Sequence, residues 1–316
     1  MGKYNNLPSE LEIKEYFHSL SNWGRWGEDD QIGTLNLITP EKRLQAAGLV
    51  RQGISIGCAR PISTQHAVDQ PLTPIHFMVE SGETYCLDDD QEWTSQHSTD
   101  YFGMGIHGPG QTHLDALCHQ FWEGKMYNGR PASIVSTAHK AKFGAVDGMN
   151  NGLVTKGVLL DLAKQREVLW YEPGDAAFIQ DLEAAEKAQG VKVEEGDALL
   201  LRFGWTRRRS MLGPVPRDGG RAGLHASCLP WLHERGISIL ACDSAQEVRP
   251  TGYEGMYGPI HSVGQVAMGL WLVDNADFEA LAVECERLDT YQFLFSLAPL
   301  NFPFATGSPI NPIAVL

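Results

Sequence analysis

The residues best suited to chemistry lie in one short segment, His107-Gly-Pro-Gly-Gln-Thr-His113-Leu-Asp115-Ala-Leu-Cys-His119. In an extended chain the side chains repeat every two residues, so His113 and Asp115 share a face while Leu114 and Ala116 turn to the core. An imidazole nitrogen beside a carboxylate oxygen makes two arms of a divalent-cation site suited to Zn²⁺ or Mn²⁺. His119, four residues past Asp115, can return to the same pocket as a third ligand or as a general base. A lone histidine is more often an ordinary polar loop residue. The clustering is what points to a metal.

Other motifs in the region fail on context. Gly103-Met-Gly105-Ile-His-Gly108 matches G-x-G-x-x-G, but STDYF before it is no apolar strand and Pro109-Gly110 opens no helix, so a dinucleotide site is not expected. Cys118 adjoins His119, yet neighbours in a strand point apart, and a small buried thiol is the expectation. There is no G-x-S-x-G elbow. The six cysteines are far apart, with no C-x-x-C pair, and read as reduced thiols.

The elements that must position this cluster read as alternating strands and helices. Apolar runs at 54–59, 157–162, 197–205 and 237–244 have the composition of strands, the last three of buried ones. Helices are expected at 39–53 behind Thr39-Pro40, at 178–190 ending on Gly190, at 224–236 stopped by Gly236, and at 277–288. A further strand is expected at 75–79, inside a polar stretch from Asp69 to Asp100. The pattern predicts a mixed α/β layer structure. With no composition break, residues 1–316 read as one domain, and 1–31 as an aromatic N-terminal arm that packs on the body or on a neighbouring subunit.

Composition narrows the function. The 25 Lys and Arg against 39 Asp and Glu leave a net charge of −14, which repels nucleic-acid phosphates and anionic lipid. An anionic substrate would need local positive charge, from an arginine or a metal. The first twenty residues lack the basic start and apolar run of a signal peptide, and no stretch approaches the roughly 20 apolar residues of a membrane span. A cytoplasmic protein acting on a small molecule is the expectation.

THLDALCH, after a Gly-rich turn and before FWEGKMYNG, resembles the signature H-x-G-T-H-x-D-x-P-x-H of the metal-dependent cyclase-like hydrolase family. That family includes bacterial kynurenine formamidases and isatin hydrolases. WGEDDQIGTLNLITPEKRLQAAGLVRQG, GVLLDL, GDALLLRFGW, WLHERGISILACDS and PIHSVGQVAMGLWLVDNADFEALA resemble further family blocks in the same order. The resemblance implies a central mixed or barrel-like sheet flanked by helices, of the swivelling β/β/α type. It also implies a divalent metal, Zn or Mn, that activates water against the carbonyl of an amide or cyclic amide, with no organic cofactor.

Residue by residue, the resemblance assigns His113, Asp115, His261 and Asp274 as metal ligands and His119 as the catalytic base. The family's first histidine falls on Pro109 and its glycine before threonine on Gln111, departures that favour one metal over two. His107, two residues upstream of Pro109, is a candidate replacement. His225 matches a position often occupied in this branch, so a pocket role is expected for it. Asp243 and Glu247, after a buried strand, could orient ligands or merely hold backbone. His233 is expected at the surface, and Trp23, Trp26, Phe102, Trp122, Phe203 and Trp205 in the core or lining a pocket. The arm and the apolar tail from Pro299 to Leu316 predict a homodimer or homotetramer. Arylformamides, lactams, cyclic imides and lactones all fit the implied chemistry, and a binding protein that has lost catalysis is the alternative prompted by Pro109.

Overall fold

The computed structural model describes residues 7–86 and 94–316. At its centre is a nine-stranded sheet. In chain order the strands are β1 Ser55–Gly57, β2 His113–Asp115, β3 Leu153–Asp161, β4 Ala198–Arg202, β5 Ile239–Cys242, β6 Trp271–Asp274, β7 Gln292–Leu297, β8 Gly307–Pro309 and β9 Ile313–Val315. In space they follow the order β1-β9-β7-β3-β4-β5-β6-β2-β8. Strands β3 to β6 are parallel neighbours, and every pairing outside them is antiparallel.

The parallel centre is built from the apolar runs, because a strand covered on both faces must be apolar on both. Alternation sends Leu159, Leu200, Ala241 and Val273 into one core and Leu160, Leu199, Leu240 and Leu272 into the other. Fully burying one such leucine contributes roughly 1.5–3 kcal/mol. The helix Glu279–Leu288 covers the first core with Leu281 and Cys285. Helices Ile179–Gln189 and Leu229–Arg235 cover the second with Leu182, Ala185 and Leu232. The first of these stops where Gly190 adopts φ 63°, a left-handed turn that glycine takes without strain. The chain thus has the expected α/β architecture, a mixed sheet flanked by helices.

Several local expectations are corrected. The helix after Thr39 spans only Pro40–Ala47, and Leu44 is exposed rather than packed. The 224–236 segment splits into a short 3-10 turn, Ala226–Cys228, and the helix Leu229–Arg235. Pro230 lacks an N–H and fits only the first turn of a helix, which fixes that start. Phe102 is exposed, on a hairpin of Ile75–Glu80 with Thr99–Gly103, and Trp23 is partly exposed. Of the expected arm, residues 1–6 lie outside the described residues; the described part packs on its own chain, where helix Glu10–Ser19 buries Ile13 and Phe17 and Trp23 Nε1 donates to the Val266 carbonyl. The apolar tail supplies β8 and β9 of the same sheet, while Leu300, Phe302 and Phe304 of the tail stay exposed. Among the described residues no helix is long and apolar enough to cross a membrane.

Candidate active site

The site begins with β2, three buried residues between β6 and β8. Its register sets His113 opposite Asp274, Leu114 opposite Val273 and Asp115 opposite Leu272. Leu114 and Val273 enter one core, so His113, Asp115 and Asp274 share the other face. On the far side β8 brings Gly307 against Asp115. A Cβ at Gly307 would lie 2.5 Å from the Leu114 carbonyl and 2.7 Å from the His107 ring, so only glycine leaves room there.

His107 arrives from the loop ahead of β2. Its Nδ1 is 2.7 Å from Asp115 Oδ1 and its Nε2 is 2.9 Å from Thr306 Oγ1. The loop is held from below: the buried Arg60 donates to the Pro109 carbonyl, and Gln111 Nε2 donates to the carbonyls of Gly105 and Ile106. Gln111 thus shapes the loop through its side chain, while its own carbonyl lies 3.0 Å from His113 Nδ1. That contact turns His113 Nε2 toward Asp115, 3.5 Å away. His119 closes the 3-10 turn Leu117–His119 and stacks on His107 with ring centroids 3.6 Å apart. Its Nε2 is 3.9 Å from Asp115 Oδ2.

The fourth side comes from the helix that starts at Pro259 and continues as a π-helix over Ser262–Met268. His261 Nε2 lies 3.6 Å from Asp115 Oδ2 and 3.4 Å from Asp274 Oδ2. Its Nδ1 is 2.8 Å from Glu247 Oε2, a carboxylate that fixes the ring's tautomer and direction. Gln246 Nε2 donates to Asp274 Oδ1, leaving Oδ2 for the cluster.

Burial disfavours charge throughout, and the neighbours decide which groups keep it. For Asp115 desolvation is overcome by the surrounding histidines, and its acid stays far below the usual carboxylate range. Burial also opposes a charge on His261, but Glu247 and Asp274 hold its pKa well above the ordinary value. Those carboxylates would be offset equally well by a divalent cation at Nε2. For His119 burial dominates and pushes the pKa down to about 4, despite Asp115. Its ring is therefore neutral near pH 7, with a side chain still a quarter exposed.

Six side chains, His107, His113, Asp115, His119, His261 and Asp274, face one cavity of about 570 Å³, a size suited to a small molecule. Two overlapping triads, His107-Asp115-His119 and His113-Asp115-Asp274, each hold ligand atoms within 4.8 Å of one another. The imidazole and carboxylate donors fit Zn²⁺ or Mn²⁺, and the anchored Nδ1 atoms of His113 and His261 leave Nε2 for the ion. Despite Pro109, donors for a second ion sharing Asp115 are in place, because His107 reaches in from two residues upstream.

Two sequence candidates lie elsewhere. His225 accepts from the Ser227 amide and stacks on Phe178, in a separate groove with Tyr253. Asp243 is fully buried behind the sheet end, where its carboxylate accepts from the amides of Phe203 and Trp205. It holds backbone and does not line the cavity. Cys118 is a buried thiol pushed up to about 12 by desolvation. The sequence did not mark Arg221, Arg249 or Tyr257, which line the same cavity from loops without periodic signal. Glu247 could be named only alongside Asp243, since both follow β5.

Residues 58–246 match the profile of the Cyclase family, described as "Putative cyclase". Comparison with curated proteins finds no match. A solved structure described as a novel cyclase is 29% identical, with 95% of this chain and 99% of that one covered, at a TM-score of 0.85. Isatin hydrolase A from Labrenzia aggregata, solved with benzyl benzoate, is 19% identical over 85% of this chain and 94% of its own, at a TM-score of 0.58. An isatin hydrolase bound to the product analogue thioisatinate is 16% identical over 88% and 99%, at 0.57. The last two likenesses are of fold. With more than half its length matched by the family profile, the chain belongs to the Cyclase family.

Proposed function

We propose that the protein is a divalent-metal-dependent hydrolase that opens the carbonyl–nitrogen bond of a small linear or cyclic amide. The observation that carries this reading is the convergence of His113, His261, Asp115 and Asp274 in one cavity beside a neutral His119. Family membership and the fold shared with isatin hydrolases support it. When bound, Zn²⁺ or Mn²⁺ supplies a Lewis acid for the carbonyl and lowers the pKa of water.

The chain's own residues do the rest. His119 Nε2, unprotonated near neutral pH, takes the proton from attacking water and returns it to the leaving nitrogen. Glu247 holds His261 in one orientation through Nδ1, and the Gln111 carbonyl does the same for His113. Trp122 and Phe121 form an apolar wall for a flat substrate. The alternative of an inactive binding protein rests on Pro109, and His107 supplies a donor in that place.

Two measurements test the reading together. Elemental analysis after chelation, dialysis and titration with Zn²⁺ or Mn²⁺ should give at least one equivalent bound. A hydrolysis screen over arylformamides, lactams, cyclic imides and lactones should then show turnover that follows metal content. Binding below roughly a tenth of an equivalent removes the proposal, and turnover of lactones alone moves it to ester chemistry.

A further inference from the structure

The cavity wall that carries no metal-site donors is cationic. Arg221 and Arg249 both line it, and their backbones pair with one another, each amide donating to the other's carbonyl at 3.0 Å. Arg249 Nη2 donates to Glu247 Oε1 at 3.0 Å, but its Nη1 is buried with no partner. Its guanidinium lies 3.5 Å from the centroid of the Tyr257 ring. Arg221 is only 7% exposed, and its side chain has no hydrogen bond or ion pair among the described residues.

The acids near Arg221 are engaged elsewhere. Asp274 binds Gln246 and His261, and Asp69 makes a two-pronged pair with Arg209. A buried guanidinium with free donors, held beside a second one, costs free energy unless an anion completes it. Burial and the charge on Arg249 both press on Arg221 in that direction. The rim adds Arg217 to the same wall. The feature stands out in a chain of net charge −14, where a positive cavity wall focuses anions against the general field.

We propose that Arg221, with the free edge of Arg249, is a carboxylate-binding subsite, and that the substrate is a small amide or lactam carrying a carboxylate. The planar fork of an arginine matches a carboxylate with two parallel hydrogen bonds, and Tyr257 keeps the Arg249 plane fixed beside it. The subsite faces the same cavity as His119, so a substrate anchored there presents its other end to the metal-site donors. This inference names the substrate class of the proposed hydrolase, but binding at the subsite does not require turnover.

The test is calorimetric binding of benzoate and of its neutral analogue benzamide to the metal-loaded protein, for the wild type, Arg221→Met and Arg221→Lys. Metal content is measured in each, so that any benzoate held by the metal is common to all three. Benzoate is expected to bind the wild type at least roughly tenfold tighter than benzamide. Arg221→Met should lose about tenfold or more of the benzoate affinity with benzamide unchanged, and Arg221→Lys should recover part of the loss. Equal affinity for the two probes, no benzoate binding, or benzoate binding unaffected in Arg221→Met overturns the proposal. If Arg221→Met does not fold, Arg221→Lys decides alone: it keeps the charge but not the fork, and unchanged benzoate affinity overturns the subsite. Arginine-dependent benzoate binding without hydrolysis of any amide sinks the hydrolase reading and leaves the subsite standing.

Discussion

His113 and Asp274 stand directly opposite one another across the β6–β2 ladder, although most of the chain's parallel core lies between them in sequence. Because residues two apart share a face, that single register brings Asp115 onto the same side as both. His113→Ala is therefore expected to lower metal content and activity together. His119→Ala should keep the metal and lose about 10²–10⁴-fold in kcat/KM, the usual worth of general acid–base catalysis. Elemental analysis of the two purified variants separates the roles. Metal lost from His119→Ala would make His119 a ligand.

Glu247 is buried and 2.8 Å from His261 Nδ1. Glu247→Gln keeps the shape but removes the charge that orients His261 and offsets Arg249. Metal affinity should fall by roughly 10- to 100-fold, as for other carboxylate–histidine–metal arrangements. Competition with a chromophoric chelator measures it. Unchanged affinity would place His261 outside the ligand set.

Gly307 leaves the space that the His107 ring occupies against Asp115. Gly307→Ala forces the ring or the strand aside, at a stability cost of about 1–3 kcal/mol typical of overpacking. The His107-Asp115-His119 triad should lose its geometry while His113, His261 and Asp274 stay in place. With one ion held by His113, Asp115, His261 and Asp274, the variant should keep its metal, and loss of metal by elemental analysis would contradict this.

His225 gives a pH prediction away from the metal donors. Burial pushes its pKa from 6.5 down to about 4. The unfolded chain therefore binds the proton first, and the histidine's contribution to stability, present above about 6.5, is lost as pH falls toward 4. His225→Asn retains an acceptor for the Ser227 amide without titrating there. Between pH 7 and pH 4 the wild type should lose up to about 3 kcal/mol relative to this variant in denaturant unfolding. A constant difference across that range would contradict the assignment.

The hairpin of Ile75–Glu80 and Thr99–Gly103 exposes Ile75, Phe77, Val79, Tyr101 and Phe102. A two-stranded sheet that no other described residues cover is marginal in water. We expect a second copy of the chain to cover it, in a homodimer or homotetramer. Light scattering at micromolar concentration should give a multiple of the chain mass, reduced by Phe77→Glu with Phe102→Glu. A monomeric wild type rules this out.

What the sequence by itself determined is local. The runs VLLD, ALLLR and ILAC read as strands buried on both faces, since alternation leaves them no polar side. His113 and Asp115 share a face in any strand, whatever its neighbours, because a two-residue period is a property of the backbone. Gly190 closes its helix because glycine alone takes the left-handed turn without cost.

Which distant groups meet was decided only by the tertiary structure. Asp243 and Glu247 follow the same strand four residues apart, but the amides of Phe203 and Trp205 capture the first and His261 meets the second. His107 enters the site because Arg60 and Gln111 fold its loop back, contacts that no periodicity encodes. Where the arm and tail pack was not legible because their apolar residues have no local partner; within the chain they meet Val266 and strands of the same sheet, far away in sequence. Arg221 and Arg249 became one cationic wall through backbone pairing of two loops. Local periodicity is written in adjacent residues. Long-range register is fixed by the joint packing of the whole sheet, and no segment carries it alone.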